Sequence, residues 1–193
     1  MAASGRYRSR FCNAETPNMS RPPTEFKVDH KPLGYLITFR AYGTWLHGDS
    51  RGSVDHFHRT YGTPMLPPNS QRRKYEQDLL RQPAVRLDSR QRAAIESAIR
   101  ETSTIRKWSL WALNIRTNHV HVVVSANCQP EAILSALKAN ATRSMRESGF
   151  WTSDRSPWAY RGSRRYLWTE KELLDAIAYV LYDQGEPLQN RER

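Results

Sequence analysis

The hydrophobic pattern of the chain predicts four strands. Residues 34–42 and 108–115 are rich in aromatic and aliphatic side chains, as strands are. A short polar turn at residues 116–118 leads into the valine-rich run 120–124, so these segments predict a hairpin. Residues 166–168 predict one further short strand.

Three other segments carry apolar positions at helical spacing. The first begins at Asp88, which can cap a helix, and Gln91 follows three residues later at the capping-box position. The second opens at Pro130, a residue favoured in the first turn of a helix. The third follows a capping signal at residues 169–172 and is expected to run to about Gln184.

The order of these elements is strand, long loop, helix, strand, strand, helix, strand, helix. It predicts an α+β fold, a ferredoxin-like antiparallel sheet with helices packed on one face. We expect one domain over residues 32–187, with a long loop insertion at 43–69 that is rich in glycine and proline. Residues 1–31 predict a disordered basic arm, and residues 188–193 a basic tail.

The net charge of the chain indicates the class of partner that the fold binds. The 193 residues include 30 Lys and Arg against 19 Asp and Glu, which gives a formal net charge of +11. Such an excess favours polyanions, because neutralising phosphates releases their condensed counterions. No segment is long and apolar enough for a membrane span, and the N-terminal segment lacks the apolar stretch of a secretory signal. We therefore expect a cytoplasmic protein with a nucleic-acid partner and no membrane partner.

The strongest candidate for chemistry is a pair of histidines, His119 and His121, in a valine frame. Side chains alternate along a strand, so both imidazoles point to one face while Val120 and Val122 point to the other. Two imidazoles held in this way can bind one divalent cation, since neutral imidazole is a common metal ligand. The pair taken alone is more typical of the solvated face of a half-buried strand than of a metal site.

A second pair with the same spacing, His56 and His58, lies among glycine and polar residues in the long loop. No alternating apolar frame fixes the direction of these two side chains. We interpret His56 and His58 as polar residues of the loop. Only the pair His119 and His121 is interpreted as a candidate metal site.

The last predicted helix supplies a candidate nucleophile. Tyr179 and Tyr182 fall away from its apolar stripe, and Asp183 lies one turn beyond Tyr179 on the same face. A tyrosine oxygen can attack phosphorus and form a covalent ester. Asp183, or alternatively Gln184, can add a third metal ligand. For either tyrosine alone, packing at the edge of the domain is the favoured interpretation.

Aromatic and arginine residues alternate between residues 156 and 166, a composition typical of surfaces that bind single-stranded nucleic acid. The predicted DNA contacts in this segment are Trp158, Tyr160, Arg161, Arg164 and Arg165. The preceding helix offers two weaker candidates for phosphate contact, Lys138 and Arg143. The alternative is a solvated basic loop whose tryptophan is part of the core.

The His-Val-His run, the helix after it and the tyrosine on a C-terminal helix together resemble the HUH single-tyrosine transposases of insertion-sequence type. Within them, the chain is most similar to the REP-associated tyrosine transposases. The resemblance spans residues 33–184 and is strongest at 117–124 and 176–184. It implies an endonuclease that cleaves and rejoins single-stranded or hairpin DNA through a 5′-phosphotyrosine intermediate.

The resemblance also assigns roles to individual residues. His119 and His121 match the histidine pair, and Tyr179 matches the nucleophile, with Tyr182 as the alternative. Asp183 or Gln184 matches the third ligand of a bound Mg²⁺ or Mn²⁺. A homodimer, with the tyrosine acting in cis or in trans, and association with the nucleoid when DNA is bound are compatible with the family.

Two other functions fit the same sequence. One is a non-catalytic, domesticated DNA-binding protein on the same scaffold, which would bind hairpins without forming an adduct. The other is an RNA-binding module with incidental histidines, which would prefer RNA and show no effect of metal. The intact histidine pair and the tyrosine favour the enzyme.

Overall fold

The computed structural model describes residues 31–53 and 64–185, which are built around a four-stranded sheet. The strands are β1 (Gly34–Ala41), β2 (Ser109–Ile115), β3 (His119–Ser125) and β4 (Trp158–Leu167). The helices are α1 (Ser70–Asp78), α2 (Ser89–Ile105), α3 (Pro130–Glu147) and α4 (Glu170–Tyr182).

All neighbouring strands of the sheet are antiparallel, and their order is β2-β3-β1-β4. The two central strands, β1 and β3, are therefore far apart in sequence but adjacent in space. This is the strand order of a ferredoxin-like sheet, and the predicted α+β class with an antiparallel sheet is confirmed.

The helices cover both faces of the sheet rather than one. Helices α2 and α3 pack on the face that carries Ile37, Phe39 and Val122. Helix α4 packs on the opposite face, where Ala176 and Val180 contact Val123 and Leu167 in a smaller apolar cluster. The prediction of a single covered face is corrected here, because an apolar helix stripe shows that a helix is buried but not against which face.

Alternation along β1 and β3 sorts the side chains between these two faces. In β3, Val120 and Val122 point into the larger core, whereas His119 and His121 point towards α4. In the pairing of β1 with β3, Thr38 lies opposite His121. The histidines therefore lie on the less completely covered face of the sheet.

Two of the predicted helix starts are present with their capping boxes. The Asp88 side chain accepts from the backbone of Gln91, and the Gln91 side chain accepts from the backbone of Asp88. Thr169 and Glu172 make the same reciprocal pair at the start of α4. These local contacts fix where each helix begins, which is why the sequence alone predicts them.

Two elements differ from the sequence prediction. Helix α1 was not predicted because it has no apolar stripe, and none of its residues is buried. Strand β4 begins at Trp158, eight residues earlier than the predicted strand at 166–168. Most of the aromatic and basic segment is therefore strand rather than loop.

The described parts of the long loop, 43–53 and 64–69, are held by specific contacts. Ser53 and Leu66 form an isolated antiparallel bridge. Gly48 has a φ of +83°, and an added Cβ there would lie 2.2 Å from the carbonyl oxygen of Asn69. A glycine at position 48 thus permits the start of α1 to approach the loop closely.

Several sequence predictions concern residues outside those that the structure describes. They are the basic arm apart from Lys31, the tail at 188–193, and the pair His56 and His58. Among the helices of the described residues, none has the length and apolar character needed to cross a bilayer.

Candidate active site

The two histidines of β3 lie side by side at one end of a cleft between the sheet and α4. Their ring centroids are 4.7 Å apart and the planes are nearly perpendicular. The cleft has a volume of about 630 Å³. His119 and His121 thus share one face, as strand alternation predicts.

One nitrogen of each ring is already engaged. The side-chain oxygen of Asn118 lies 2.7 Å from Nδ1 of His119, and Oγ1 of Thr38 lies 2.7 Å from Nδ1 of His121. An amide oxygen can only accept, so Nδ1 of His119 must carry the proton. This tautomer leaves Nε2 of His119 with a free lone pair, and the Thr38 hydroxyl can hold His121 in the same tautomer.

Burial keeps both rings neutral near pH 7. It lowers the pKa of His121 to about 4, with further lowering by His119 and Arg40. Burial also lowers the pKa of His119, while a hydrogen bond with the Gln184 side chain opposes that shift. Neutral imidazoles are the form that binds a metal cation.

Of the two candidate tyrosines, only Tyr179 lines the cleft. Its ring centroid is 5.5 Å from that of His121, and its side chain is 41% exposed. Tyr182 is 75% exposed and is absent from the lining. The geometry therefore places the hydroxyl-bearing ring of Tyr179, and not that of Tyr182, beside the histidines.

The two candidate third ligands are also separated by the structure. Helix α4 ends at Tyr182, so Asp183 is an exposed cap residue and not a continuation of the Tyr179 face. Gln184 lines the cleft with both histidines, and its side chain raises their pKa values against the effect of burial. Its amide nitrogen donates to the carbonyl oxygen of Tyr179 at 3.1 Å, so this bond does not use the amide oxygen.

The structure therefore brings Gln184 rather than Asp183 into the cleft, because α4 ends two residues earlier than the sequence pattern predicts. Among residues 31–53 and 64–185, no group of three or more His, Cys, Asp or Glu side chains is placed to hold a metal ion. A ligand set in this region would thus comprise two imidazole nitrogens and the amide oxygen of Gln184.

Cationic side chains also line the cleft. The Arg40 guanidinium lies 3.5 Å from the ring centroid of Trp45, and that of Arg51 lies 4.4 Å from it. Arg51 also pairs with Asp49, at 2.7 Å, and this bond holds the pKa of the Asp49 carboxyl at about 2. Burial, and secondarily Arg51, lowers the pKa of Arg40 to about 10. The cleft is therefore suited to an anionic group.

Two predicted DNA contacts have structural roles instead. Trp158 is 3% exposed, packs edge-to-face on Phe39 and donates from Nε1 to Thr142. Lys138 is half-buried, and its Nζ donates to the carbonyl oxygens of Ala159 and Arg161, where β4 bulges away from β1. Burial lowers the pKa of Lys138 to about 8. Burial contradicts the prediction for Trp158, whereas Lys138 is held at a bulge that the sequence does not reveal.

The remaining predicted contacts are divided between different surfaces. Arg165 lines the cleft with the histidines. Tyr160 is 93% exposed at the bulge, with the Arg161 guanidinium 5.9 Å from its ring, and neither lines the cleft. Arg164 forms an ion pair with Glu131 on α3, and Arg143 one with Glu147 on the same helix. Only one predicted arginine is thus brought to the histidines.

The residues that sequence reasoning missed at this site include Thr38, Arg40, Trp45, Arg51 and Asn118. A signal for Arg40 was present, because it alternates with Thr38 on β1, but the pairing of β1 with β3 was not known. Asn118 directly precedes the histidine pair, but the sequence indicates only that it is part of the turn between the two strands. Trp45 and Arg51 are in the long loop, whose path the sequence does not predict.

Comparisons with known proteins identify the family of the chain. Residues 73–171, just over half of the chain, match the family model described as "Transposase IS200 like". A comparison with curated proteins found no significant match. An antiparallel α+β domain with a histidine pair and a helical tyrosine at one cleft is consistent with a DNA-processing protein of this class. The chain belongs to the IS200-like transposase family.

Two solved structures are similar to the chain. One is a REP-associated tyrosine transposase bound to a REP hairpin, with 11% identity and a TM-score of 0.42 over 81% of this chain and 70% of that one. The other is a candidate transposase from Deinococcus radiodurans R1, with 13% identity and a TM-score of 0.41 over 78% of this chain and 89% of that one.

Proposed function

We propose that the protein is a metal-dependent endonuclease and strand transferase that acts on single-stranded or hairpin-associated DNA, with Tyr179 as its nucleophile. The observation that carries the proposal is the position of Tyr179. Its ring lies against His121 in a cleft that also holds Gln184 and Arg40. A nucleophile, a candidate ligand set and a cationic group for phosphate are thus present at one site.

The donor set fits a divalent cation such as Mg²⁺ or Mn²⁺. Both imidazoles are kept neutral by burial, and the hydrogen bond of Asn118 to Nδ1 directs the lone pair of His119 to Nε2. Gln184 offers an amide oxygen next to them. When bound, such a cation would polarise the scissile phosphate and stabilise charge on the leaving oxygen.

The covalent step follows from the chemistry of a phenol and a phosphodiester. The Tyr179 oxygen bonds to phosphorus as its proton passes to water, and the bond from phosphorus to the 3′ oxygen breaks. The leaving 3′ oxygen takes up a proton and becomes a hydroxyl, while the 5′ phosphate stays on the tyrosine. Attack of a 3′ hydroxyl on this ester reverses the step and rejoins the strand, so no external energy source is needed.

The arginines of the cleft hold the substrate during this step. Arg40 lies opposite His119 in the pairing of the two central strands, and Arg51 also lies against the Trp45 ring. A guanidinium can make two parallel hydrogen bonds to a phosphate group, which fixes its orientation as well as neutralising its charge. In-line attack requires a fixed orientation of this kind.

The test is a covalent trapping experiment with the full-length chain. Hairpin oligonucleotides with single-stranded flanks, labelled on either side in separate reactions, are incubated with Mn²⁺ or Mg²⁺ and run on a denaturing gel. We expect a labelled protein–DNA adduct with either metal and no adduct after chelation with EDTA. The label retained on the protein must be the one on the 3′ side of the cut, because that fragment carries the 5′ phosphate.

Each of the other functions predicts a different result from the same reactions. Tight hairpin binding with no adduct under either metal would support the non-catalytic DNA-binding protein. Preference for a matched RNA hairpin, without an effect of metal, would support the RNA-binding module. Either result would overturn the proposed activity.

We further expect Thr38→Val to lower the affinity for Mn²⁺ by about 10–100-fold, the usual cost of losing a hydrogen bond that orients a ligating histidine. Valine keeps the shape and strand preference of threonine but removes the hydroxyl that contacts Nδ1 of His121. Isothermal titration in the absence of DNA measures the affinity. Nitrogen-15 NMR of the imidazole measures the tautomer without any metal.

The matched control for this prediction is Thr38→Ser, which restores a hydroxyl at the same position. It should recover both the tautomer and most of the Mn²⁺ affinity. An unchanged tautomer and affinity in Thr38→Val would show that the contact between Thr38 and His121 does not orient the ring.

A further inference from the structure

A second cavity adjoins the active-site cleft, and the function proposed above does not use it. Its volume is about 690 Å³, which lies within the range of roughly 300–1,000 Å³ typical of small-molecule and cofactor pockets. Four parts of the chain line it: the loop that follows β1, helix α1, residues 80–86 and Asn118 in the turn before β3. We refer to it as the flanking pocket.

The flanking pocket and the cleft are neighbours. Thr44 and Asn118 line both of them. Asn118 is also the residue whose side-chain oxygen lies 2.7 Å from Nδ1 of His119. A polymer that occupies the cleft can therefore continue into the flanking pocket past these two side chains.

The lining of the flanking pocket is cationic. Arg73, Arg81 and Arg86 contribute to it, and Asp49 is its one carboxylate among the described residues. The Asp49 carboxylate is already paired with Arg51. Within residues 31–53 and 64–185, neither the Arg81 nor the Arg86 side chain takes part in an ion pair. The excess of positive charge favours an anionic occupant.

The other lining groups suit the remaining parts of a nucleotide. Leu46, Leu80 and Pro83 supply apolar surface against which the face of a base can pack. Gln77 supplies an amide that can both donate to and accept from the edge of a base. Arginine for phosphate, an amide for a base edge and an apolar wall for a base face together correspond to one nucleotide.

The pocket is also part of the ordered structure rather than a gap beside α1. Gly43, at a φ of +71°, places its backbone so that an added Cβ would lie 3.0–3.1 Å from Ala84 and Leu80. Gly48 permits the close approach of Asn69 at the start of α1. The loop after β1 is therefore packed against two of the pocket's walls.

We infer that the flanking pocket binds a nucleotide of the DNA strand next to the phosphate that is cleaved. This inference rests on the proposed function, because it takes the cleft to be the place of that phosphate. The pocket would then select which nucleotide stands beside the cleavage point. Arg81 and Arg86 are its phosphate contacts.

The test compares Arg81→Gln/Arg86→Gln with the control Arg100→Gln/Arg106→Gln, which removes the same charge from the end of α2 and its C-cap, outside the pocket lining. Affinities for a hairpin with oligothymidine tails, and for the same hairpin without tails, are measured by fluorescence anisotropy over a series of salt concentrations without metal. Loss of two phosphate contacts to a single strand should make the salt dependence shallower by about 1.4 on a log–log scale. We expect that change for the tailed probe in Arg81→Gln/Arg86→Gln only.

A second measurement locates the contact directly. Tails that carry 4-thiothymidine at successive positions are irradiated with the wild-type protein, and the crosslinked peptide is identified by mass spectrometry. We expect one position near the hairpin to crosslink within residues 73–86. Crosslinks elsewhere only, an unchanged salt dependence in Arg81→Gln/Arg86→Gln, or an equal change in the control would overturn the inference.

These results are separable from a failure of the proposed function, since no arm of the binding experiment requires cleavage. A tail-dependent change in Arg81→Gln/Arg86→Gln without any adduct in the trapping assay would support the flanking pocket and contradict the nuclease. An adduct in the trapping assay with no such change would contradict the flanking pocket alone.

Discussion

Tyr179→Phe should abolish the covalent adduct with hairpin DNA, with a loss of at least about 10³-fold, because a phenyl ring has no oxygen with which to form a phosphate ester. The variant keeps the aromatic ring that lies 5.5 Å from His121. No hydrogen bond of the Tyr179 hydroxyl is present among the described residues, so the fold should be unaffected. The adduct is measured on denaturing gels and hairpin affinity by anisotropy, which should stay at the wild-type value.

The matched control is Tyr182→Phe, which removes a hydroxyl three residues further along the same helix. That side chain is 75% exposed and does not line the cleft, so the adduct should form at the wild-type rate. Loss of the adduct in Tyr182→Phe together with its persistence in Tyr179→Phe would show that the helix turns in the DNA complex and that Tyr182 is the nucleophile.

His121→Ala should lower Mn²⁺ affinity by more than about 100-fold, because losing a ligand should exceed the 10–100-fold cost of losing a partner that only orients one. Gln184→Ala should also weaken Mn²⁺ binding, since its amide oxygen is the third donor on the described face. Both variants should fail to form the adduct at low Mn²⁺, and a high Mn²⁺ concentration should restore it in Gln184→Ala. Affinity is measured by titration and adduct yield across a series of metal concentrations.

Asp183→Ala is the control that separates the two candidate third ligands. Asp183 is exposed after the end of α4, so its removal should leave Mn²⁺ affinity and adduct yield unchanged. The opposite pattern, with Asp183→Ala defective and Gln184→Ala normal, would mean that α4 is longer by a residue when metal and DNA are bound. The original preference for Asp183 would then be restored.

The sequence predicted that the aromatic and basic segment can bind nucleic acid, but not which of its side chains are buried and which are exposed. Trp158 and Tyr160 are two residues apart in one aromatic and basic segment, yet one is buried against Phe39 and the other is 93% exposed. A bulge in β4, stabilised by Lys138, separates them. Composition predicts that such a segment can bind nucleic acid, but only strand pairing decides which of its rings remain accessible.

The same limit applies to the cleft. Arg40 is brought to His119 by the pairing of β1 with β3, two strands that lie almost eighty residues apart along the chain. Trp45 and Arg51 reach the cleft from a loop without periodic pattern. Sequence patterns relate residues that are close along the chain, and these residues are not. The net charge therefore predicts an anionic partner but does not identify the arginines that contact it.

By itself, the sequence determined what depends on neighbours in the chain. Alternation placed His119 and His121 on one face, and capping boxes fixed the starts of α2 and α4. Tertiary structure alone decided that α4 covers the face with the histidines and that it ends early enough to bring Gln184 to them. The physical reason is that periodicity encodes which side of an element is buried, whereas its partner and its final turn are set by packing and by hydrogen bonds to distant residues.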